Sequence, residues 1–164
     1  MSDLTNQAPK LLKNGQFVNN PWTIAEKGRL EALSDYTLVH LSDWAEAAKA
    51  GTLCGLWLGA EDSVDELPSN IKNIPVIAIN FPAFMDGRGF STARQIRERK
   101  EYSGELRAIG QFFQDQVFMM KRCGFDAYLV PADADLDSYK TTLGLMTDYY
   151  QAAADEPRPL FRRR

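Results

Sequence analysis

The sequence predicts an α/β domain: a mainly parallel sheet of about five strands with helices, as an open sheet or a half-barrel, plus an N-terminal β-hairpin. Three observations carry this. Short apolar runs alternate with helix-like stretches from residue 36 onward, which is the rhythm of βα units. The run PVIAINF (75–81) is apolar without alternation, as a strand covered on both faces requires. About four βα units follow one another, short of the eight that close a barrel. A half-barrel needs something to cover its open edge, which leaves a homodimer open.

The elements follow in chain order. Residues 1–9 are expected to be disordered, 10–153 to form the domain, and 154–164 to be a tail. In LLKNGQFVNN two apolar runs flank Asn14-Gly15, the dipeptide of a type I′ hairpin turn. Residues 21–34 fit no single element. YTLVHL (36–41) is a strand, and Ser42 caps a helix, DWAEAAKA, that stops at Gly51. LCGLWLG (53–59) is a strand, 63–73 a short helix or loop, and 75–81 the buried strand. Helix 91–100, strand 106–110 and helix 112–123 come next. The last of these ends at Gly124-Phe125, where glycine at C′ and an apolar residue at C″ suggest a Schellman stop. Strand 127–131 and a helix over 136–153 complete the domain.

Composition bounds the function. A chain of 164 residues that is 45% hydrophobic buries one good core. Its net charge of −3 argues against a general nucleic-acid or membrane-surface role. The two cysteines, Cys54 and Cys123, form no Cys-x-x-Cys pair and the only histidine is His40, too few ligands for an iron–sulfur or structural zinc site. No apolar signal core opens the chain and no run approaches a membrane span, so a cytoplasmic protein is expected. No cofactor is identifiable: Gly87-x-Gly89 has its third small residue one place late for a dinucleotide fingerprint, and no Walker-type loop is present.

In parallel α/β folds ligands sit beyond the carboxyl ends of the strands. That edge should carry Glu61 and Asp62, then 86–91, then 111–116, then Asp133 and Asp135. Asp86-Gly87-Arg88-Gly89-Phe90-Ser91 stands out, because two glycines admit close approach of a ligand and the loop runs into a helix N-terminus. Arg88, Arg94, Arg97 and Arg107 would complete a cradle for a small oxyanion such as phosphate, sulfate or sulfite. A purely architectural reading stands beside this one. In it Ser91 is the helix cap, Asp86 is bonded within the loop, and Arg94 and Arg97 pair with Glu98 and Glu101 at i,i+4. Glu105 and Arg107 share one side of their strand and must pair or face a polar cavity. Asp115 and Glu105 are the candidate general acid/base groups. Cys123, beside Lys121 and Arg122, is read as a packing cysteine.

Phe81-Pro82-x-Phe84-x-Asp86-Gly87-Arg88-Gly89-Phe90-Ser91-x-Ala93-Arg94, Arg97-x-Arg99, Gly104-Glu105-Leu106-Arg107-Ala108-x-Gly110, Asp115-Gln116 and Arg122-Cys123-Gly124-Phe125-Asp126 resemble a bacterial domain-of-unknown-function family, number 934. Its members are labelled probable oxidoreductases of sulfite reduction and are typically encoded beside the assimilatory sulfite reductase haemoprotein. The likeness covers most of 10–150, is densest at 81–126, and departs at Lys100-Glu101, where the family favours a glycine. It implies a cytoplasmic accessory protein of sulfur assimilation, with the sulfite reductase as partner and a sulfur oxyanion as ligand. The alternative is a small α/β enzyme acting on a phosphorylated or sulfated metabolite, with Arg88, Arg94 and Arg107 as clamp.

Overall fold

The computed structural model describes residues 8–31, 33–146 and 148–163. The expectation of disorder over 1–9 falls mostly outside these residues. Strands β1 (Lys10–Lys13) and β2 (Gln16–Val18) form the hairpin, with φ of 52° at Asn14 and 72° at Gly15 as its turn demands. Then come β3 (Thr23–Ile24), β4 (Thr37–His40), α1 (Trp44–Ala47), β5 (Cys54–Leu58) and β6 (Val76–Phe81). Helix α2 (Arg88–Glu98), β7 (Glu105–Gly110), α3 (Val117–Cys123), β8 (Ala127–Val130) and α4 (Leu136–Leu143) follow, with short 3-10 turns between. None of these helices is long and apolar enough to cross a membrane.

The eight strands of the described residues form one mixed sheet in the order β2-β1-β8-β7-β6-β5-β4-β3. This corrects the expected count of about five. Strands β3 to β8 are parallel and lie in chain order, and the hairpin joins the same sheet antiparallel through β1 and β8. The addition not foreseen is β3, whose two residues gain strand character only by pairing with β4.

The sheet has to curl. Its outermost strands, β2 and β3, are consecutive in the chain and joined only through Asn19–Trp22. Laid flat, eight strands would separate these edges by about 34 Å, whereas the five residue steps from Val18 to Thr23 span at most about 18 Å. The result is an open half-barrel, with the link running across its inner face. There Trp22 packs with Leu38, Val76, Ala78 and Ile109. The helices cover the other face, where Leu56, Ile77, Ile79, Phe81, Leu106 and Tyr128 meet Ala93 and Ile96 of α2 and Val117 and Met120 of α3.

All four helices differ from expectation. Helix α1 covers only Trp44–Ala47 and passes into a 3-10 turn over Ala48–Ala50. Helix α3 begins at Val117, after a 3-10 turn over Gln114–Gln116, rather than at 112. Helix α2 starts three residues before Ser91, which lies inside it, exposed, and caps nothing. Helix α4 ends at Gly144 rather than running to 153. The residues beyond it fold back, with the Ala154 amide donating to Arg122 O and the Arg122 guanidinium donating to Asp155 and to Gln151 O. The Schellman stop of α3 forms as expected: Gly124 sits at φ 111°, its amide donates to Lys121 O, and the Phe125 amide donates to Met120 O.

Candidate functional site at the carboxyl edge

The four arginines expected to share a cradle are held in three different places. Arg107 is on the inner face. Cross-strand neighbours there form one row, Lys13, Ala127, Arg107, Ala78, Trp57 and His40. An alanine on each side leaves room for the guanidinium. Arg107 is 2% exposed and bonds Glu105 Oε1 at 2.6 and 2.7 Å and Asn20 Oδ1 at 2.9 Å, while Lys13 Nζ lies 2.7 Å from Glu105 Oε2. The pair thus ties β7 to β1 and to the link that crosses the face.

Arg94 and Arg97 belong to α2, on the opposite side of the sheet. Arg94 is exposed and pairs with Glu98 at 2.9 Å, as the i,i+4 spacing suggests. Arg97 does not reach Glu101, which pairs with Lys72 instead. It donates to the carbonyls of Gly124, Tyr102 and Gly104 at 2.7–2.9 Å and lies 3.3 Å from Asp126 Oδ2. Its place is the amino edge of the sheet, where it holds together the loops entering β7 and β8. Burial raises the Asp126 carboxyl above the usual carboxylate range, against the Leu106 amide and Arg97, which act to lower it.

Arg88 alone stays at the carboxyl edge. It bonds Asp86, at distances from 2.6 to 3.2 Å, and Glu61. Asp86 Oδ1 also accepts the Arg88 backbone amide at 3.1 Å. The helix N-terminus that would attract an external anion therefore already holds a carboxylate of the chain. Arg88 hydrogen bonds hold the Asp86 carboxyl down at about 2, and Asp86 raises the guanidinium in turn. The two glycines play different parts. A Cβ at Gly87 would meet open space, whereas one at Gly89 would lie 2.6 Å from Cζ of buried Phe81. Gly89 is thus explained by packing against the sheet rather than by a ligand.

The proposed acid/base groups are likewise apart. Glu105 begins β7, while exposed Asp115 follows its carboxyl end, so the strand's length of about 17 Å separates them. They cannot act on one bond. No single clamp of Arg88, Arg94 and Arg107 forms either. Burial pushes the Cys123 thiol up, in keeping with a packing cysteine.

Two features of the carboxyl edge were not read from the sequence. His40, 3% exposed, lies 2.9 Å through Nε2 from Asp62 Oδ2 and stacks edge-on against Trp57 at 4.4 Å. Its Nδ1 accepts the Ser42 amide, so the imidazole caps the turn that leads into α1, and this donor assigns the proton to Nε2. The capping role expected of Ser42 belongs to His40. The cap is local, two residues from Ser42, but the pairing that orients the imidazole is not, since Asp62 is 22 residues away.

The second is an apolar knob. Phe84 and Phe113, on the loops after β6 and β7, stack with centroids 4.8 Å apart. Gln116 braces both loops, accepting from the Phe113 amide at 2.8 Å and donating to Phe84 O at 2.9 Å. Exposures of 46% for Phe84, 83% for Met85 and 56% for Phe113 leave this knob facing solvent. The available signal is an apolar pair in each of two loops, Phe84-Met85 and Phe112-Phe113.

The model of a family described as "Bacterial protein of unknown function (DUF934)" matches residues 55–161, from β5 through the segment beyond α4. No curated protein matches the chain.

Proposed function

We propose that the chain, which belongs to this family of bacterial proteins of unknown function, is an accessory protein of assimilatory sulfite reduction that docks on the sulfite reductase, the pathway being what the sequence resemblance implies. The observation that supports the docking role is the Phe84–Met85–Phe113 knob. Aromatic and methionine side chains held rigidly in solvent, with a charged rim of Asp86, Arg88 and Glu61, have the make-up of an interface anchor. Gln116 ties the backbones of the two loops together, so presenting the knob requires little ordering of the loops on binding. In this reading any redox role uses a cofactor carried by the partner, and the chain contributes positioning.

The test is direct binding between the purified full chain and holo sulfite reductase. Binding is expected, with Met85→Glu weakening it by about tenfold or more and Arg88→Ala mainly changing its rate of formation and salt dependence. The reading fails if the reductase does not bind, or if Met85→Glu binds as wild type does.

A further inference from the structure

At the amino edge of the sheet, opposite the knob, lies a cleft of about 650 Å³ among Asn14, Lys121, Phe125, Tyr128, Lys140 and Leu143. We propose that it binds a small organic anion with an apolar body, whose charged group is met by Lys121 and Lys140.

Its size falls within the roughly 300–1,000 Å³ of small-molecule sites, and an apolar floor with a few polar groups is their usual make-up. Phe125, Tyr128 and Leu143 are the apolar residues of its lining, backed by the core beneath the sheet. Charge supplies the sign. The two acids of the lining are engaged, Asp126 by Arg97 and Asp155 by Arg122. Among the described residues no carboxylate pairs with Lys121 or Lys140. The uncommitted charge of the cleft is therefore positive, in a chain whose net charge is −3.

These lysines stand in the last turns of α3 and α4, where ammonium groups commonly offset the helix dipole. That task is already met by other donors. In α3 the carbonyls of Met120, Lys121 and Arg122 accept the amides of Phe125, Gly124 and Ala154. In α4 those of Lys140, Thr141 and Thr142 accept the amides of Gly144 and Leu145. The ammonium groups remain for a ligand. The walls are firm as well, since Arg97 is fastened to three backbone carbonyls and the segment bearing Ala154 and Asp155 to Arg122.

The test follows the backbone amides of the full chain by nuclear magnetic resonance as phenyl phosphate, benzoate, benzyl alcohol or benzylamine is added. Gly15, Gly124 and Gly144 line the cleft and serve as reporters. Phenyl phosphate and benzoate are expected to shift these three signals, more weakly at high salt, with benzyl alcohol weaker and benzylamine inactive. The double variant Lys121→Gln/Lys140→Gln, its fold verified by its own spectrum, is expected to bind phenyl phosphate about tenfold or more weakly. The proposal is overturned if neither anion shifts the reporters up to about 10 mM, a range in which a site of this size gives measurable affinity. It is equally overturned if the shifts map elsewhere, if benzylamine binds as well as the anions, or if the double variant binds unchanged.

Discussion

Arg107 and Arg88 make the same bond in two settings. Each pairs with a carboxylate two residues before it, Glu105 in one case and Asp86 in the other. Arg107 lies 2% exposed between alanines on the inner face, and Arg88 has about half its side chain in water at the rim. In water a guanidinium loses little when its partner goes, because solvent replaces the lost bonds. On the inner face no solvent can do so, and an orphaned charge carries its full desolvation cost. Identical chemistry thus serves architecture in one place and leaves a surface free for contact in the other.

The contrast is strongest at Arg107. Arg107→Ala leaves Glu105 to Lys13 alone and Asn20 without its donor, and should cost about 3 kcal/mol in urea unfolding, the low end for a broken buried pair because Lys13 still faces the carboxylate. A loss below about 1 kcal/mol would remove the distinction between the two pairs. Next comes Arg97→Ala, which removes the guanidinium from three carbonyls and leaves Asp126 with the Leu106 amide alone, and should cost about 2–3 kcal/mol.

Within the rim loop the two glycines separate in the same way. Gly89→Ala presses against Phe81 and should cost about 1–3 kcal/mol, whereas Gly87→Ala should be close to neutral. Equal effects at both would argue that the loop, rather than the packing beneath it, sets the requirement.

The smallest effect belongs to the exposed pair. Arg88→Ala should leave the melting temperature unchanged within measurement. Asp86 has a folded-state pKa below its unfolded value, so its contribution is present above the ordinary carboxylate range, near 4, and disappears as pH falls toward about 2. A carbon-13 titration of the Asp86 carboxyl should show that low midpoint in the wild type and a return toward the ordinary value in Arg88→Ala.

Much of the molecule follows from short stretches of residues. Asn14-Gly15 specifies its turn because few dipeptides accept two positive φ angles, and Gly124-Phe125 ends its helix for a similar local reason. The Arg94–Glu98 pair follows from helical spacing alone. Where reading failed, the decisive partner was distant. Asn20 meets Arg107 across 87 positions, and Arg97 reaches Gly124 across 27. Arginines of the rim loop, α2 and β7 that look equivalent as one cradle are therefore found in three places. The segment after residue 153 looks like a tail because its anchor, Arg122, lies in another helix.

Pattern and turn chemistry are enough for the alternation of strands and helices, the hairpin and the stop of α3, since backbone sterics and side-chain period act over a few residues. The curl of the sheet, the separation of the arginines, the exposed knob and the lysine-lined cleft arose only once the chain was folded. A five-step link spanning eight strands constrains geometry through the whole sheet, and burial, which sets the worth of each charge, depends on every element packed around it.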